Sequence, residues 1–571
     1  MSRRAAIALL LSTTLAAGVL PQGAVAQVDH VQADQVQSDH VQADLGEERE
    51  AADAANARRF EALEAAGARI GEVHIVVDNI FDTDDPREDK LLYRWANALH
   101  IRTRPQVIRH ALPFKRGDAV SALRMAEAER LLRSNRYLYD VRIQPLEERD
   151  GVVDIEVRTR DTWSLDPGFS AGRSGGVNSS GWRLREYNLL GTGVSLGFGR
   201  SNSVDRSSSE FTLSADRVFG SRANIDLSTA RNSDGRRDAA SIVRPFYALD
   251  SRWTAGVTLL HDDRVDDVYR AGKTVSEFRH RLRQAELFAG WSAGRVDGWV
   301  QRYTLGLSSS DDRYAPEPGQ VAPPLLPDDE RLVGPFLRYD LIEERVERLH
   351  NRNQMERPEF FSMGLLASLG LGWAGRGFGA SRDALLYSAT LSRGFEPAPG
   401  QTLTLSGSIN GRLAGGRLER QTVGAQAQYF LPQTPRWLFY AAASAEVLSR
   451  PQPTQTLLLG GDSGLRGYPL RYQDGQRRVL LTVEERFFTD IYLWRLFRVG
   501  GALFADAGRA WGGNASNLAD PGWLGDVGAG LRIVSTRTSF GNVLHIDIAR
   551  PLRPRGDVKS LQFLVRTKVS F

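Results

Sequence analysis

From Trp163 to the C-terminal Phe571, segments of about ten to fifteen residues alternate apolar and polar side chains, separated by Gly, Asp, Asn or Pro turns. The C-terminal segment is the clearest. Leu561, Phe563, Val565, Thr567, Val569 and Phe571 share one face, opposite Ser560, Gln562, Arg566, Lys568 and Ser570. In "TLTLSGSINGRL", Leu403, Leu405, Ile409 and Leu413 oppose Thr404, Ser406, Ser408, Asn410 and Arg412. In "RWLFYAAASAEV", Trp437, Phe439, Ala441, Ala443 and Val447 fall together. A period of two places alternate residues on opposite faces of a sheet, so this region is mainly β.

A water-soluble sandwich also alternates. Three features favour a transmembrane antiparallel barrel. The strands are long enough to cross a bilayer when tilted. Charged residues sit on the minority face inside strands, as a wet lumen permits. Ten of the eleven tryptophans lie from Trp163 onward, several near segment ends (Trp253, Trp299, Trp437, Trp494), as aromatic girdles require. No run of eighteen apolar residues follows the N-terminus; the longest, "FFSMGLLASLGLGWAG" from Phe360, is too short and glycine-rich for a spanning helix.

Residues 1–26 read as a secretory signal peptide. Arg3 and Arg4 precede an apolar stretch from Ala5 to Leu20, and Ala24-Val25-Ala26 is a small-residue cleavage site. The chain has no cysteine, so an exported fold must be stabilised by a large core or a closed barrel rather than by disulfides. Formal net charge is only +4, which together with export argues against a nucleic-acid partner.

Residues 27–68 begin with "HVQAD"-type repeats and read as a solvated tether, not a metal site at His30 and His40. An Ala-, Glu- and Arg-rich helix over 46–67 follows, ending at Gly67. Residues 69–160 read as a small α/β domain in the order strand, helix, helix, hairpin. Its strand "IGEVHIVV" places Ile70, Val73 and Ile75 in imperfect alternation. A short helix falls in "TRPQVIRHAL", and Asp118 is a candidate cap for a second, with Leu123, Ala126, Leu131 and Leu132 apolar. Tyr139, Val141 and Ile143 share a face of one hairpin strand, and Val153, Ile155 and Val157 a face of the other. "RDG" at 149–151 makes the turn. Residues 161–571 are the barrel.

Two motifs suggest chemistry and lack its context. "GDSG" around Ser463 matches the surroundings of a serine-protease nucleophile, but no histidine base, orienting carboxylate or oxyanion hole is in prospect. "GLGWAG" at 370–375 matches a dinucleotide fingerprint without the following helix. No enzyme, cofactor or metal site is expected.

The stretch "LLLGGDSGLRGYPLRYQDG" resembles instead the lumenal loop of the BamA/TamA family of outer-membrane assembly barrels and their two-partner-secretion relatives. Leu465, Arg466, Gly467 and Tyr468 match the family's [IVL]-R-G-[FY] motif, and Phe504, Asp506 and Gly508 in "LFADAG" match its F-x-D-x-G. Glu484 in "LLTVEERFF" points inward by alternation with Val483 and Phe487. "VGAGLRI", "HIDIARPL" and the terminal Phe571 match its last strands, and 69–160 matches its periplasmic POTRA module. The resemblance implies that Arg466 reaches Asp506 with Glu484 nearby. It implies a sixteen-stranded barrel, although the segments themselves number nearer twenty. It also implies that Phe563, Val565, Val569 and Phe571 form a C-terminal assembly signal. A weak seam would lie between the first strand (about Trp163 to Arg173) and the last (Ser560 to Phe571), with Pro167 tolerated at that edge.

The function so implied is non-enzymatic insertion, assembly or translocation of client proteins at the bacterial outer membrane. The partners are outer-membrane lipid, an unfolded client or exported protein, and a periplasmic partner through the POTRA domain. The alternatives are a dedicated secretion pore for one exoprotein and a surface-antigen barrel without transport. Two departures count against a general assembly role: a single POTRA domain, and an insertion, "NIFDTDDPREDKLLYRWANALH", at 79–100.

Overall fold

The computed structural model describes residues 55–84, 89–133, 135–218, 221–355, 358–493, 497–512, 521–535, 543–554, 556 and 558–568. The signal peptide, the repeats, Trp494, Val569 and Phe571 lie outside the described residues.

A helix over 55–65, α1, ends at Gly67, whose φ of +71° suits a residue without a Cβ. Then follow β1 (Arg69–Asp78), α2 (Leu91–Leu99), α3 (Pro105–Ala111), α4 (Ala122–Arg133), β2 (Leu138–Arg149) and β3 (Val152–Asp161). The sheet order is β1-β3-β2, with β1 parallel to β3 and β2 antiparallel to it. The β2–β3 turn has positive φ at Asp150 and Gly151, as a tight hairpin needs. Ile70, Ile108, Met125, Leu132, Val141, Ile143, Val153, Ile155 and Val157 make one buried core.

Several sequence expectations fail here for identifiable reasons. The segment holds three helices between its strands, not two, because the 79–100 insertion contains α2. Asp118 does not cap α4; its carboxylate accepts the Lys115 N–H at 3.0 Å. The Ala122 N–H is instead taken by Glu64 of α1 at 2.9 Å. The buried face of α4 is Met125, Ala128 and Leu132, while Leu123 and Ala126 are exposed, so the buried stripe runs in a different phase from the expected one. Tyr139 is exposed because a register shift between Leu138 and Asp140 turns it away from Val141. A shift between Ile70 and Val73 explains the imperfect alternation of β1.

The remaining strands are β4 (Leu165–Ser174), β5 (Val177–Glu186), β6 (Val194–Asn202), β7 (Ser207–Val218), β8 (Ala223–Asn232), β9 (Gly235–Arg244), β10 (Trp253–Arg270), β11 (Lys273–Val296), β12 (Trp299–Pro316) and β13 (Glu330–Glu343). They continue as β14 (Val346–His350), β15 (Pro358–Ser362), β16 (Leu366–Ala374), β17 (Ala384–Phe395), β18 (Thr402–Ala414), β19 (Arg417–Pro432) and β20 (Trp437–Ser449). The last are β21 (Leu457–Leu459), β22 (Gln473–Gly475), β23 (Arg477–Leu493), β24 (Phe497–Trp511), β25 (Leu524–Ser535), β26 (Val543–Pro551) and β27 (Gln562–Lys568). All except β14–β15 and β21–β22, which pair as small hairpins, close into one antiparallel barrel of 20 strands. The count of sixteen implied by resemblance is thus corrected to 20.

Because β4 starts just after β3 and the barrel is antiparallel, its even-numbered strands run away from the N-terminal domain and its odd-numbered strands return. That fixes a proximal end beside the domain and a distal end opposite. The outer face carries an apolar band. At its proximal edge Trp253, Trp291, Tyr303 and Tyr339 lie side by side on four adjacent strands. The Trp291–Tyr303 and Tyr303–Tyr339 centroids are 6.3 and 5.1 Å apart. Leu259, Leu287, Leu305, Leu307 and Leu337 follow, all exposed. Distally the same face becomes charged, with Asp263–Arg281 at 3.5 Å and Asp311–Arg313 at 2.7 Å. Inward positions are polar or charged: Asp262, Arg264, His280, Arg302, Asp312 and Arg412 are all buried.

Closure is uneven. Adjacent strands elsewhere align at least seven residue pairs. Between β27 and β4 the described residues align one, Val565 with Arg173. Pro167, which has no N–H to donate, lies in β4 at this join.

Candidate functional site

Residues 450–476, which include the β21–β22 hairpin, link β20 to β23, and they do not stay at the distal rim. The 457–475 loop folds into the lumen and places Arg466 against the wall. Asp506 lies on β24 and Glu484 on β23, both at inward positions of their strands. The Arg466 guanidinium grips Asp506 with two bonds, Nε to Oδ2 at 2.7 Å and Nη2 to Oδ1 at 2.9 Å. Its Nη1 donates to Glu484 Oε1 at 2.7 Å. The Phe504 ring lies under it, 3.4 Å from the guanidinium carbon. The Thr482 hydroxyl donates to Asp506 at 2.8 Å. Arg466 is 3% exposed and Asp506 2%. Two charges so desolvated are tolerable only when paired in the forked geometry arginine supplies.

The neighbouring motif residues shape the loop around that pair. Leu465 and Tyr468 are fully buried, in a cluster with Leu459, Tyr472, Ala510, Leu524 and Val558. The Tyr468 hydroxyl donates to the Gly525 carbonyl at 3.2 Å. A Cβ at Gly467 would stand 2.6 Å from the Asp526 Cβ and 3.0 Å from the Pro551 nitrogen. A Cβ at Gly508 would meet the Val479 carbonyl oxygen at 2.9 Å and Leu459 at 3.2 Å. These glycines let loop and wall approach. Ser463 forms a local turn: its hydroxyl accepts the Gly460 N–H at 2.8 Å, and its own N–H donates to the Gly460 carbonyl at 3.1 Å. Phe563 and Val565 sit on the outer face of β27, away from this cluster, with Phe563 exposed.

The loop also touches both sides of the β27–β4 join. On one side Gly467 abuts Asp526 of β25 and Pro551 of β26. On the other, the Ser174 hydroxyl donates to the Gly461 carbonyl at 2.7 Å, and a Cβ at Gly461 would lie 2.7 Å from the Gly175 Cα.

Sequence reasoning missed three members of the charged cluster. Arg486 donates to Glu484 Oε2 at 2.9 Å, and Arg532 donates to Asp547 Oδ1 at 2.5 Å. Asp547 and Arg466 approach to 4.0 Å, as do Arg532 and Glu484. The signal was available: each lies between outward apolar residues, as Arg532 does between Leu531 and Ile533, or two positions from Glu484.

A second insert went unread. Residues 344–365, which join β13 to β16 at the proximal end, form the β14–β15 hairpin. Its tip is knotted by Glu359, which accepts the N–H groups of Arg352 at 2.8 Å, Asn353 at 2.9 Å and Gln354 at 3.1 Å. Met355 packs against Phe430, Leu438, Phe488, Ala502, Val534 and Val543, inward residues of the wall. Arg352 donates to the Gly400 carbonyl at 2.7 Å. Arg486 donates to the Arg352 carbonyl at 2.8 Å. Thus β23 carries two adjacent inward charges, Glu484 holding the distal loop and Arg486 holding the proximal hairpin. The only signal in the sequence was length, since turns at this end are otherwise short.

Among the described residues no group of three or more His, Cys, Asp or Glu could hold a metal ion. No helix among them is long and apolar enough to cross a membrane, which says nothing of the strands.

No family model matches the chain, and no curated protein matches it. Among solved structures it is similar to BamA from Haemophilus ducreyi lacking POTRA domains 1–3, with a TM-score of 0.44 and 15% identity over 87% of this chain and 85% of that one. It is similar to CdiB from Escherichia coli, with a TM-score of 0.43 and 14% identity over 87% and 76%. CdiB from Acinetobacter baumannii gives 0.39 and 13% over 87% and 73%. Likenesses this distant carry no functional argument.

Proposed function

We propose that this protein is an outer-membrane barrel that inserts, assembles or translocates client proteins, with residues 69–160 acting as a periplasmic POTRA domain. The observation that carries the reading is the join between β27 and β4, where the described residues align at one pair while other barrel strands align at seven or more. A sheet edge so poorly paired offers unused N–H and C=O groups to an incoming strand. The apolar outer band, its row of Trp and Tyr side chains and the charged inner face support a membrane setting. The N-terminal domain stands at the end where β4 begins, suited to receive clients. Phe563, Val565, Val569 and Phe571 would together serve as a C-terminal assembly signal. The role is one of binding and positioning, and no catalytic residue is assigned.

Two inserts fold into the lumen and are tied to its wall, which favours a lateral route at the seam over a standing pore. The test is photo-crosslinking in cells from positions along β4 and from the exposed edge of β2. Trapped outer-membrane β-proteins would support assembly, a single exported protein would support the dedicated pore, and no trapped protein would overturn both.

Each insert is expected to close the lumen without the other. Glu359→Ala strips the hairpin tip of its acceptor, a loss of roughly 1.5–3 kcal/mol for each hydrogen bond to a charged group. In planar bilayers this variant should keep a low conductance, while Glu359→Ala combined with Arg466→Ala should give a steady open pore. A large pore in the Glu359→Ala variant would show that the distal loop does not seal.

A further inference from the structure

The helix inside the 79–100 insertion is turned inside out. On α2, Tyr93 and Asn97 face the protein: the Tyr93 ring stacks on Phe81 at 4.1 Å, and Asn97 accepts the Phe81 N–H at 3.0 Å and donates to its carbonyl at 2.8 Å. Leu91, Trp95 and Leu99 face outward, 72%, 65% and 72% exposed. Their spacing of four places them in one stripe, and Ile101, just past the helix end, is also exposed. A helix that only completed its domain would bury this stripe and expose the asparagine.

The stripe sits at a defined place. Immediately after it, the Thr103 N–H and hydroxyl bind the buried Asp161 carboxylate at 2.7 and 2.8 Å, and His100 lies 2.9 Å from the same group. The Asn188 side chain donates to the Thr103 hydroxyl at 2.8 Å, and the Arg104 N–H donates to the Gly191 carbonyl at 2.9 Å. Asn188 to Gly191 is the β5–β6 turn, at the proximal rim. Any side chain at Gly191, whose φ is +71°, would collide with the Arg102 carbonyl, so the approach is close. On this part of the rim Trp163, Leu165, Leu184 and Leu190 are exposed, continuing the apolar band of the barrel toward α2.

We infer that the Leu91–Trp95–Leu99 face of α2 rests in the headgroup and upper acyl zone of the periplasmic lipid leaflet, pinning the N-terminal domain beneath the β27–β4 seam. This rests on the membrane-barrel reading above. A lipid surface fits better than a protein. A stable protein interface takes about 20–30 residues a side, and this stripe with Ile101 offers four. An interfacial helix needs one apolar face, a tryptophan and a polar flank, here with Lys90 and Arg102 close by and Arg94 paired with Asp89.

The chain has no cysteine, so single sites can be spin-labelled without background. The full-length protein would carry Leu99→Cys, Leu305→Cys on the outer band or Glu147→Cys on the distant β2 end. It would be reconstituted in phosphatidylethanolamine/phosphatidylglycerol vesicles, with heat-modifiable mobility confirming a folded barrel. Collision with oxygen over a water-soluble nickel chelate reports immersion. The expected result is a several-fold higher oxygen-to-nickel ratio at positions 99 and 305 than at 147, with position 99 reverting to the aqueous value in lipid-free amphipol. A label at 99 that stays aqueous while 305 is in lipid overturns the inference alone. A label at 99 shielded equally in amphipol means a protein surface covers it and also overturns it. An aqueous label at 305 overturns the membrane-barrel reading itself.

Discussion

Arg466→Ala is expected to destabilise the barrel by roughly 3–5 kcal/mol, the cost of leaving buried charge without its partner. Asp506 loses two hydrogen bonds and Glu484 one, and Phe504 loses the cation stacked on it. The loop tip then keeps only its apolar contacts at Leu465 and Tyr468 and a few uncharged-donor hydrogen bonds, such as Tyr468 to Gly525 and Ser174 to Gly461. Arg466→Lys should recover only part of the loss, because an ammonium cannot fork onto Asp506 while reaching Glu484. Ser463→Ala in the same loop is the control: it removes one turn hydrogen bond and should cost about 1 kcal/mol or less. The readout is the temperature at which the folded band disappears on a heat-modifiability gel, together with client assembly. A double-mutant cycle with Asp506→Ala should be strongly non-additive. Simple addition would mean that the two residues act independently despite their distance.

Joining the seam covalently should abolish function while leaving the barrel folded. Arg173 and Val565 are aligned partners, and residues directly opposite in an antiparallel pair have Cα atoms about 4.5–5.5 Å apart, within the range a disulfide spans. With no native cysteine, Arg173→Cys/Val565→Cys can form only this bond within the chain. The oxidised variant is expected to be at least as heat-stable as the parent and to lose client insertion entirely, with activity returning on reduction. Undiminished activity of the fully oxidised form would mean that clients do not enter between β27 and β4. The lumen would then have to be the route, and the two inserts its gates.

The contrast between these residues and the rest of the chain shows what local pattern encodes. The outward face of β24 and the inward position of Asp506 follow from alternation with Leu503 and Ala505, because a strand has a period of two whatever surrounds it. The hairpin turn at Asp150-Gly151 and the helix stop at Gly67 were legible for the same reason, since each depends on the φ its own residues tolerate. Where a neighbour intervened, the pattern misled. A register shift reversed Tyr139, and Glu64, 58 residues upstream, took the α4 N–H that Asp118 was expected to satisfy.

The sequence by itself determined that most of the chain is alternating strand, which faces of those strands are apolar, and where a charged loop motif lies. Only the tertiary structure decided that 20 strands close the barrel, that closure at β27–β4 is thin among the described residues, and that a second insert rises from the proximal end to meet Arg486. It also decided that α2 turns its apolar stripe away from its own domain. Strand faces are set by backbone geometry over a few residues. Closure, in-folding and sidedness are set by hydrogen bonds and packing between segments tens to hundreds of residues apart, whose strength depends on partners no local window contains.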